Sequence, residues 1–268
     1  MNAPMTIAQI FDRAVTLVVR RWRAAVLIAV IASLPEAGQV ALLGADPAAA
    51  RHSGGATVLL SFAFLLLFLC AFAALAMLFT GDDDDANGLA LYGLAFRSFW
   101  RLFRVSLATG LLLIVGVAAG ALVVTAASAV GGAIAAGILA FVVAVAIAPL
   151  FFVLETALCI AAIEGTGATI SIGAAFRRTL PPGGRVRTAL LGYAAVLCYF
   201  VPQLVVGTVA EMAAAATAQG WIRVIAVPVE LITGLIFFIA LTTVAAIDYR
   251  VRSEGVDLEA ALDAREPA

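Results

Sequence analysis

The chain has 268 residues and a formal net charge of −1, and 64% of its residues are hydrophobic while only 12% are charged. Its mean hydropathy of +1.12 excludes a soluble globular domain and indicates a protein that crosses a membrane several times. All sixteen basic residues are arginine, which together with the high alanine content is typical of a GC-rich bacterial genome. No cleaved signal peptide is expected, because an arginine-rich segment of 23 residues precedes the first apolar run.

Six apolar runs are long enough to cross a hydrocarbon core of about 30 Å, which requires about 20 residues of helix. They cover residues 24–45, 56–80, 105–129, 132–163, 188–213 and 221–247. The first run is the weakest, because Pro35 and Glu36 interrupt it. The sequence therefore predicts an all-α polytopic membrane protein that forms one domain over residues 1–268.

Arginine pairs repeat along the chain: three times, two arginines seven positions apart lie at the start of an apolar stretch. The pairs are Arg13 and Arg20, Arg97 and Arg104, and Arg178 and Arg185. The first members are 84 and then 81 residues apart, which predicts three repeat units over residues 1–80, 81–163 and 164–247, followed by a cytoplasmic tail at 248–268. Each unit is predicted to be an amphipathic interfacial helix followed by a transmembrane hairpin. Their similar size suggests a pseudo-threefold bundle as a hypothesis.

The predicted interfacial helices place apolar side chains on one face and arginines on the other. The second of them is predicted over residues 88–103, with Asn87 as its N-cap. The six repeated arginines are candidate contacts for anionic lipid headgroups, with an affinity of about 1 kcal/mol for each basic residue near the surface. The simpler alternative is that these helices only anchor and orient the hairpins.

The distribution of arginine predicts the orientation of the protein. Fourteen of the sixteen arginines lie on one side of the six predicted spans, and only Arg51 and Arg223 lie on the other. By the positive-inside rule, both termini face the cytoplasm of a bacterial inner membrane. The acidic run Asp82–Asp85 falls on the same side, and it is interpreted as solvated charge near the start of a helix, because four adjacent aspartates lack the spacing of a calcium loop.

Three polar residues within the spans form a candidate buried site. Glu36, Gln203 and Glu230 each lie beside a proline and are predicted at similar depths in the membrane. Two carboxylates that share a site would bind a proton or a cation. Alternatively, each glutamate is neutral and hydrogen-bonds separately within the bundle.

Glu155 is expected near the cytoplasmic interface, in an ion pair with Arg177 or Arg178. The three cysteines fall in different spans and are expected to be free, and the single histidine, His52, lies in the loop between the first two spans. No metal, cofactor, catalytic residue or nucleic acid partner is predicted, and the protein is not expected to be an enzyme.

Small residues in the third and fourth spans predict close helix contacts. Gly116 and Gly120 form a GxxxG pattern, which packing within the hairpin explains as well as a homodimer would. The sequence therefore leaves open whether the protein forms a homo-oligomer or binds an unidentified membrane partner. At the end of the chain, a helix stop at Gly255 and a new helix from Leu258 are predicted.

Three segments resemble a bacterial family: residues 6–14 (TIAQIFDRA), residues 155–185, and residues 248–257 (DYRVRSEGVD). They are similar to six-span proteins that include the membrane domain fused to some glycerophosphodiester phosphodiesterases and the YciC-like integral membrane proteins. The resemblance implies an inner-membrane protein with a role in envelope or lipid homeostasis. No soluble phosphodiesterase domain is present, so the hydrolase activity of the fused relatives is not implied.

Two functional hypotheses follow. The first is a non-enzymatic membrane protein whose arginine-rich interface binds membrane lipids or a partner. The alternative is a small gradient-driven transporter or channel that uses Glu36 and Glu230. The sequence favours the first, because the arginines repeat and the glutamates do not.

Overall fold

The computed structural model describes residues 4–45, 54–81, 87–181, 184–217 and 219–263. These ranges contain seven helices: α1 Ile7–Ala45, α2 Gly54–Thr80, α3 Gly88–Arg97, α4 Phe99–Glu164, α5 Ala168–Thr179, α6 Arg185–Thr217 and α7 Trp221–Asp263. Asp82–Asp85, Arg51 and His52 lie outside the described residues.

Six helical segments are long and apolar enough to span a membrane, and each contains most of one predicted run. They are Ile7–Leu42, Gly55–Thr80, Phe99–Ala126, Ile134–Glu164, Arg185–Thr217 and Trp221–Gly255. The prediction of a helical protein that crosses the membrane several times is thus confirmed for the described part of the chain. The relation of the three units by an internal repeat stays a prediction.

The interfacial segments are helical, but their boundaries differ from those predicted. The first is continuous with the first span in α1, and only Arg21 (φ −112°, ψ 18°) departs from helical geometry between them. The second, α3, begins after Asn87, whose side chain accepts a hydrogen bond from the Leu89 amide at 3.0 Å, so the predicted N-cap is confirmed. This helix ends at Arg97 rather than at residue 103, because Ser98 (φ −95°, ψ 5°) separates it from α4.

The third and fourth spans fold back on each other within α4. The reversal lies at Gly132, whose φ of 69° and ψ of −167° fall in a region that is essentially restricted to glycine. A methyl group added at Gly116 would lie 3.2 Å from Leu150, and one at Gly120 would overlap Val143. The GxxxG pattern therefore packs against the second arm of its own hairpin.

The C-terminal prediction is wrong, because α7 continues through Gly255 to Asp263. Glycine costs about 1 kcal/mol in a helix interior. Two ion pairs between residues four apart, Asp248 with Arg252 and Arg250 with Glu254, support the helix before that glycine. Residues 248–263 thus continue the last helix.

The helices close into a ring in which α7 is the most buried span. Contacts run from α7 to α1, from α1 to α2, from α2 to α4, from α4 to α6, and from α6 back to α7. The core lies in one half of the bundle, where residues 69–79, 152–162 and 235–246 are almost all buried. The other half is looser, and apolar side chains such as Leu122, Ile134 and Leu204 are more than 70% exposed there, as lipid-facing residues would be.

Candidate functional site: a basic face and a buried polar cluster

Contacts between helix ends bring the arginine-rich segments to one end of the bundle. Arg21 of α1 donates a hydrogen bond to the carbonyl oxygen of Leu78 near the end of α2. Arg187 at the start of α6 lies 2.7 Å from Asp248 of α7, and Gly88 at the start of α3 packs against the backbone of α1 at residue 24. We call this end the basic face. It carries all six repeated arginines: Arg13, Arg20, Arg97, Arg104, Arg178 and Arg185.

Four of these arginines are exposed to the surroundings of the protein. Arg13, Arg20, Arg97 and Arg185 are exposed, and within the described residues none of them forms an ion pair or a hydrogen bond. Arg104 is also exposed, and its Nε donates to the carbonyl oxygen of Trp100 one turn earlier at 3.2 Å. The exposed guanidinium groups are therefore available to an external anion.

Arg178 has a structural role instead. Its Nη1 lies 2.7 Å from Oε1 of Glu164, which also lies 3.8 Å from a guanidinium nitrogen of Arg250. The expected pairing of Arg178 with Glu155 is wrong, because Glu164 ends α4 directly beside α5 while Glu155 lies more than two turns back along α4. Within the described residues, no arginine forms an ion pair with Glu155.

A cavity of about 260 Å³ opens in the basic face between α1 and the end of α2. Among the described residues, its lining comprises Arg13, Thr16, Leu17, Arg20, Arg21, Phe79, Thr80, Gly81 and Ile247. Two of the six repeated arginines thus share one cavity. No acidic residue belongs to this lining.

The end of α2 beside this cavity is already satisfied by the protein. The Met77 carbonyl oxygen accepts hydrogen bonds from the Gly81 amide at 3.2 Å and from the Thr80 hydroxyl at 2.9 Å. The next carbonyl, that of Leu78, accepts from the buried Arg21. Arg21 offsets the partial negative charge of this helix end, and Arg13 and Arg20 add further positive charge to the cavity.

Next to the cavity, Asp248 joins both ends of the chain to α6. Its side chain is only 1% exposed, and it accepts hydrogen bonds from the Met5 amide at 2.6 Å, from Arg187 at 2.7 Å and from Arg252 at 2.8 Å. Both arginines also donate to the Met5 carbonyl oxygen. Sequence reasoning missed this cluster, although the four-residue spacing of Asp248 and Arg252 was a local signal for part of it.

A second set of hydrogen bonds fixes α5 and α6 against the end of α7. The Thr188 hydroxyl donates to the Thr179 carbonyl oxygen at 2.5 Å and lies 2.8 Å from the Tyr249 hydroxyl. All three side chains are buried. The basic face is therefore built on a rigid base of buried polar contacts.

The predicted buried polar residues come from three helices and lie in the same region of the bundle. Glu36 of α1 and Glu230 of α7 lie close enough for their charges to interact. Gln203 of α6 lies beside Tyr199, which is also within range of the charge of Glu36. The three predicted residues thus lie in one region of the bundle with Tyr199, which sequence reasoning missed, and their common site stays a prediction. All four side chains are half-buried.

Close contact between α6 and α7 shapes this polar cluster. A methyl group added at Gly234 would lie 2.8 Å from the Tyr199 carbonyl oxygen and 3.2 Å from Gln203. One added at Gly207 would lie 3.2 Å from Oε1 of Glu230. Within the described residues, no three His, Cys, Asp or Glu side chains are grouped as metal ligands, and the three cysteines are free.

Comparison of the chain with protein-family models, curated proteins and solved structures finds no match. The structure establishes a membrane protein with six candidate spans. The basic face and the polar cluster are its two candidate functional regions.

Proposed function

We propose that this protein is a non-enzymatic component of the bacterial inner membrane that binds anionic lipid headgroups through its basic face, in a role in lipid or envelope homeostasis. The observation that carries the proposal is the exposure of Arg13, Arg20, Arg97 and Arg185 at one end of the bundle, where none of them has a partner among the described residues. Anionic headgroups would supply the missing counter-charges at the depth where these helices meet the membrane surface.

Aromatic side chains on the same helices support an interfacial position. Trp22, Phe96 and Trp100 are each more than half exposed, and they lie within a few residues of the exposed arginines. Tryptophan is enriched at the level of the headgroups in membrane proteins. The resemblance to bacterial six-span membrane proteins is in keeping with the same location, with both termini in the cytoplasm.

The proposal is tested by measuring thermal unfolding in nanodiscs of phosphatidylcholine with and without phosphatidylglycerol. The stabilisation by phosphatidylglycerol is expected to fall by about 1 kcal/mol for each arginine removed in an Arg13→Gln, Arg20→Gln, Arg97→Gln, Arg185→Gln variant. Added salt is expected to reduce the stabilisation of the wild type by phosphatidylglycerol. Arg223→Gln, at the opposite end of the bundle, is the control. Equal stabilisation of all three proteins would contradict the proposal.

A second candidate function, a small gradient-driven transporter or channel, is favoured by one observation: the half-buried Glu36 of α1 lies within range of the charge of Glu230 of α7. Two neighbouring carboxylates within the spans would share a proton or bind a cation. The test is thermal unfolding across pH and with added monovalent and divalent cations. A proton- or cation-dependent stability that disappears in Glu36→Gln, Glu230→Gln would support this function, and indifference in both proteins would exclude it.

A further inference from the structure

We infer that the cavity between α1 and the end of α2 is a specific site for the phosphate group of an anionic phospholipid. The inference rests on the proposed function and assigns it to one location within the basic face. The cavity measures about 260 Å³, which is large compared with the roughly 30 Å³ that one water molecule occupies and suits a headgroup rather than a single ion.

Arg13 and Arg20 are arranged to converge on one anion. Seven residues of α-helix correspond to a rise of about 10.5 Å and to almost two full turns, so the two side chains leave the same face of α1. Both line the same cavity. A guanidinium group donates two parallel hydrogen bonds to a phosphate, so two of them can enclose it.

The other polar side chains of the described lining are hydrogen-bonded within the protein. The Thr16 hydroxyl donates to the Asp12 carbonyl oxygen at 2.8 Å, and the Thr80 hydroxyl donates to that of Met77 at 2.9 Å. Arg21 is directed toward the Leu78 carbonyl oxygen. The hydrogen-bond donors that face the ligand are therefore those of Arg13 and Arg20.

The apolar part of the lining indicates a lipid rather than a free phosphate ion. Leu17, Phe79 and Ile247 belong to the same cavity. A phospholipid could place its phosphate between the arginines and its glycerol and acyl chains against these apolar surfaces.

The test is native mass spectrometry of the delipidated protein in neutral detergent, titrated with phosphatidylglycerol. We expect one lipid to bind more tightly than the rest in the wild type. Arg13→Gln, Arg20→Gln is expected to weaken this first binding event by at least about tenfold. Arg97→Gln, Arg104→Gln removes the same charge elsewhere on the basic face and is expected to leave it within about twofold. Inorganic phosphate is expected not to displace the lipid.

Each other outcome overturns the inference in a distinguishable way. Equal weakening in both double variants would mean diffuse binding by the whole basic face, which overturns the site but leaves the proposed function. Unchanged binding in both would overturn the site and count against the proposed function as well. Displacement by inorganic phosphate would reassign the cavity to a free anion. If the glutamine variant does not fold, Arg13→Lys, Arg20→Lys keeps the charge, and unaltered binding there would overturn paired guanidinium recognition.

Discussion

At the scale of single residues, Asp248 is the carboxylate on which two arginine pairs depend. It is almost completely buried, and it receives two arginine side chains and a backbone amide from the opposite end of the chain. Loss of its charge would leave Arg187, which is 16% exposed, without its carboxylate partner. A charge that loses its partner in a buried site is strongly destabilising.

Asp248→Asn is therefore expected to lower the free energy of unfolding by about 2 to 3 kcal/mol. The expected loss is below the full range for a buried pair, because Arg252 is 37% exposed and partly solvated. The measurement is unfolding of the purified protein in detergent, by heat or by denaturant.

Glu254→Gln is a matched control on the same helix. Glu254 also pairs with an arginine four residues away, Arg250, but both side chains are about half exposed. Loss of the Glu254 charge is expected to change the free energy of unfolding by no more than about 0.5 kcal/mol. Equal effects of the two substitutions would show that Asp248 does not hold the chain ends together.

The same residues show what sequence can and cannot reveal about a site. Arg13 and Arg20 were identified because a repeat and a helical period are local patterns, and their shared cavity follows from their position on one face of α1. The partner of Arg178 was predicted wrongly, because the choice between Glu155 and Glu164 depends on where α5 docks against α4. That docking is set by tertiary packing, which no local pattern encodes.

At the scale of helices, the hairpin within α4 explains the small residues of the third and fourth spans. Val143 packs against Gly120, and Leu150 packs against Gly116. In the alternative in which these glycines mediate a homodimer, their substitution would change the oligomeric state rather than the stability of the monomer.

Gly120→Ala is expected to lower the free energy of unfolding by about 1 to 3 kcal/mol, because valine is branched at Cβ and cannot move its methyl groups away cheaply. Val143→Ala is expected to restore most of that loss in the double variant, since it removes the methyl group that the new side chain would overlap. The four proteins of this cycle are compared by thermal unfolding and by size-exclusion chromatography. A shift to a smaller assembly without loss of stability would favour the homodimer.

Helix boundaries were less predictable than helix identity. Apolar runs of about 25 residues gave the six spans, because few other structures bury so long a stretch. Whether an interfacial segment is separate from its span depends on one residue, Arg21 in α1 and Ser98 between α3 and α4. Arg21 carries no usual signal for a helix end, and Ser98, although serine is a common N-cap residue, forms no side-chain cap hydrogen bond.

At the scale of the whole molecule, the ring of helices has one densely packed end and one open end. The packed end holds the basic face, and Met5, which precedes α1, is hydrogen-bonded there to Asp248 of α7. Among the described residues, Arg223 is the one arginine at the other end, and it forms an ion pair with Glu211 at 2.7 Å. The described arginines are thus concentrated at the packed end.

This asymmetry predicts the orientation of the protein in the membrane. Arginines near the ends of spans are retained on the cytoplasmic side, so the basic face and both termini are expected in the cytoplasm and the turn between α6 and α7 on the outside. A fluorescent protein fused after residue 268 is expected to fluoresce, and an alkaline phosphatase inserted at Gln219 is expected to be active, because this phosphatase folds only outside the cytoplasm. The same phosphatase fused after residue 268 is the control and is expected to be inactive. The reverse pattern would place the basic face outside the cytoplasm, away from the anionic leaflet that the proposed function requires.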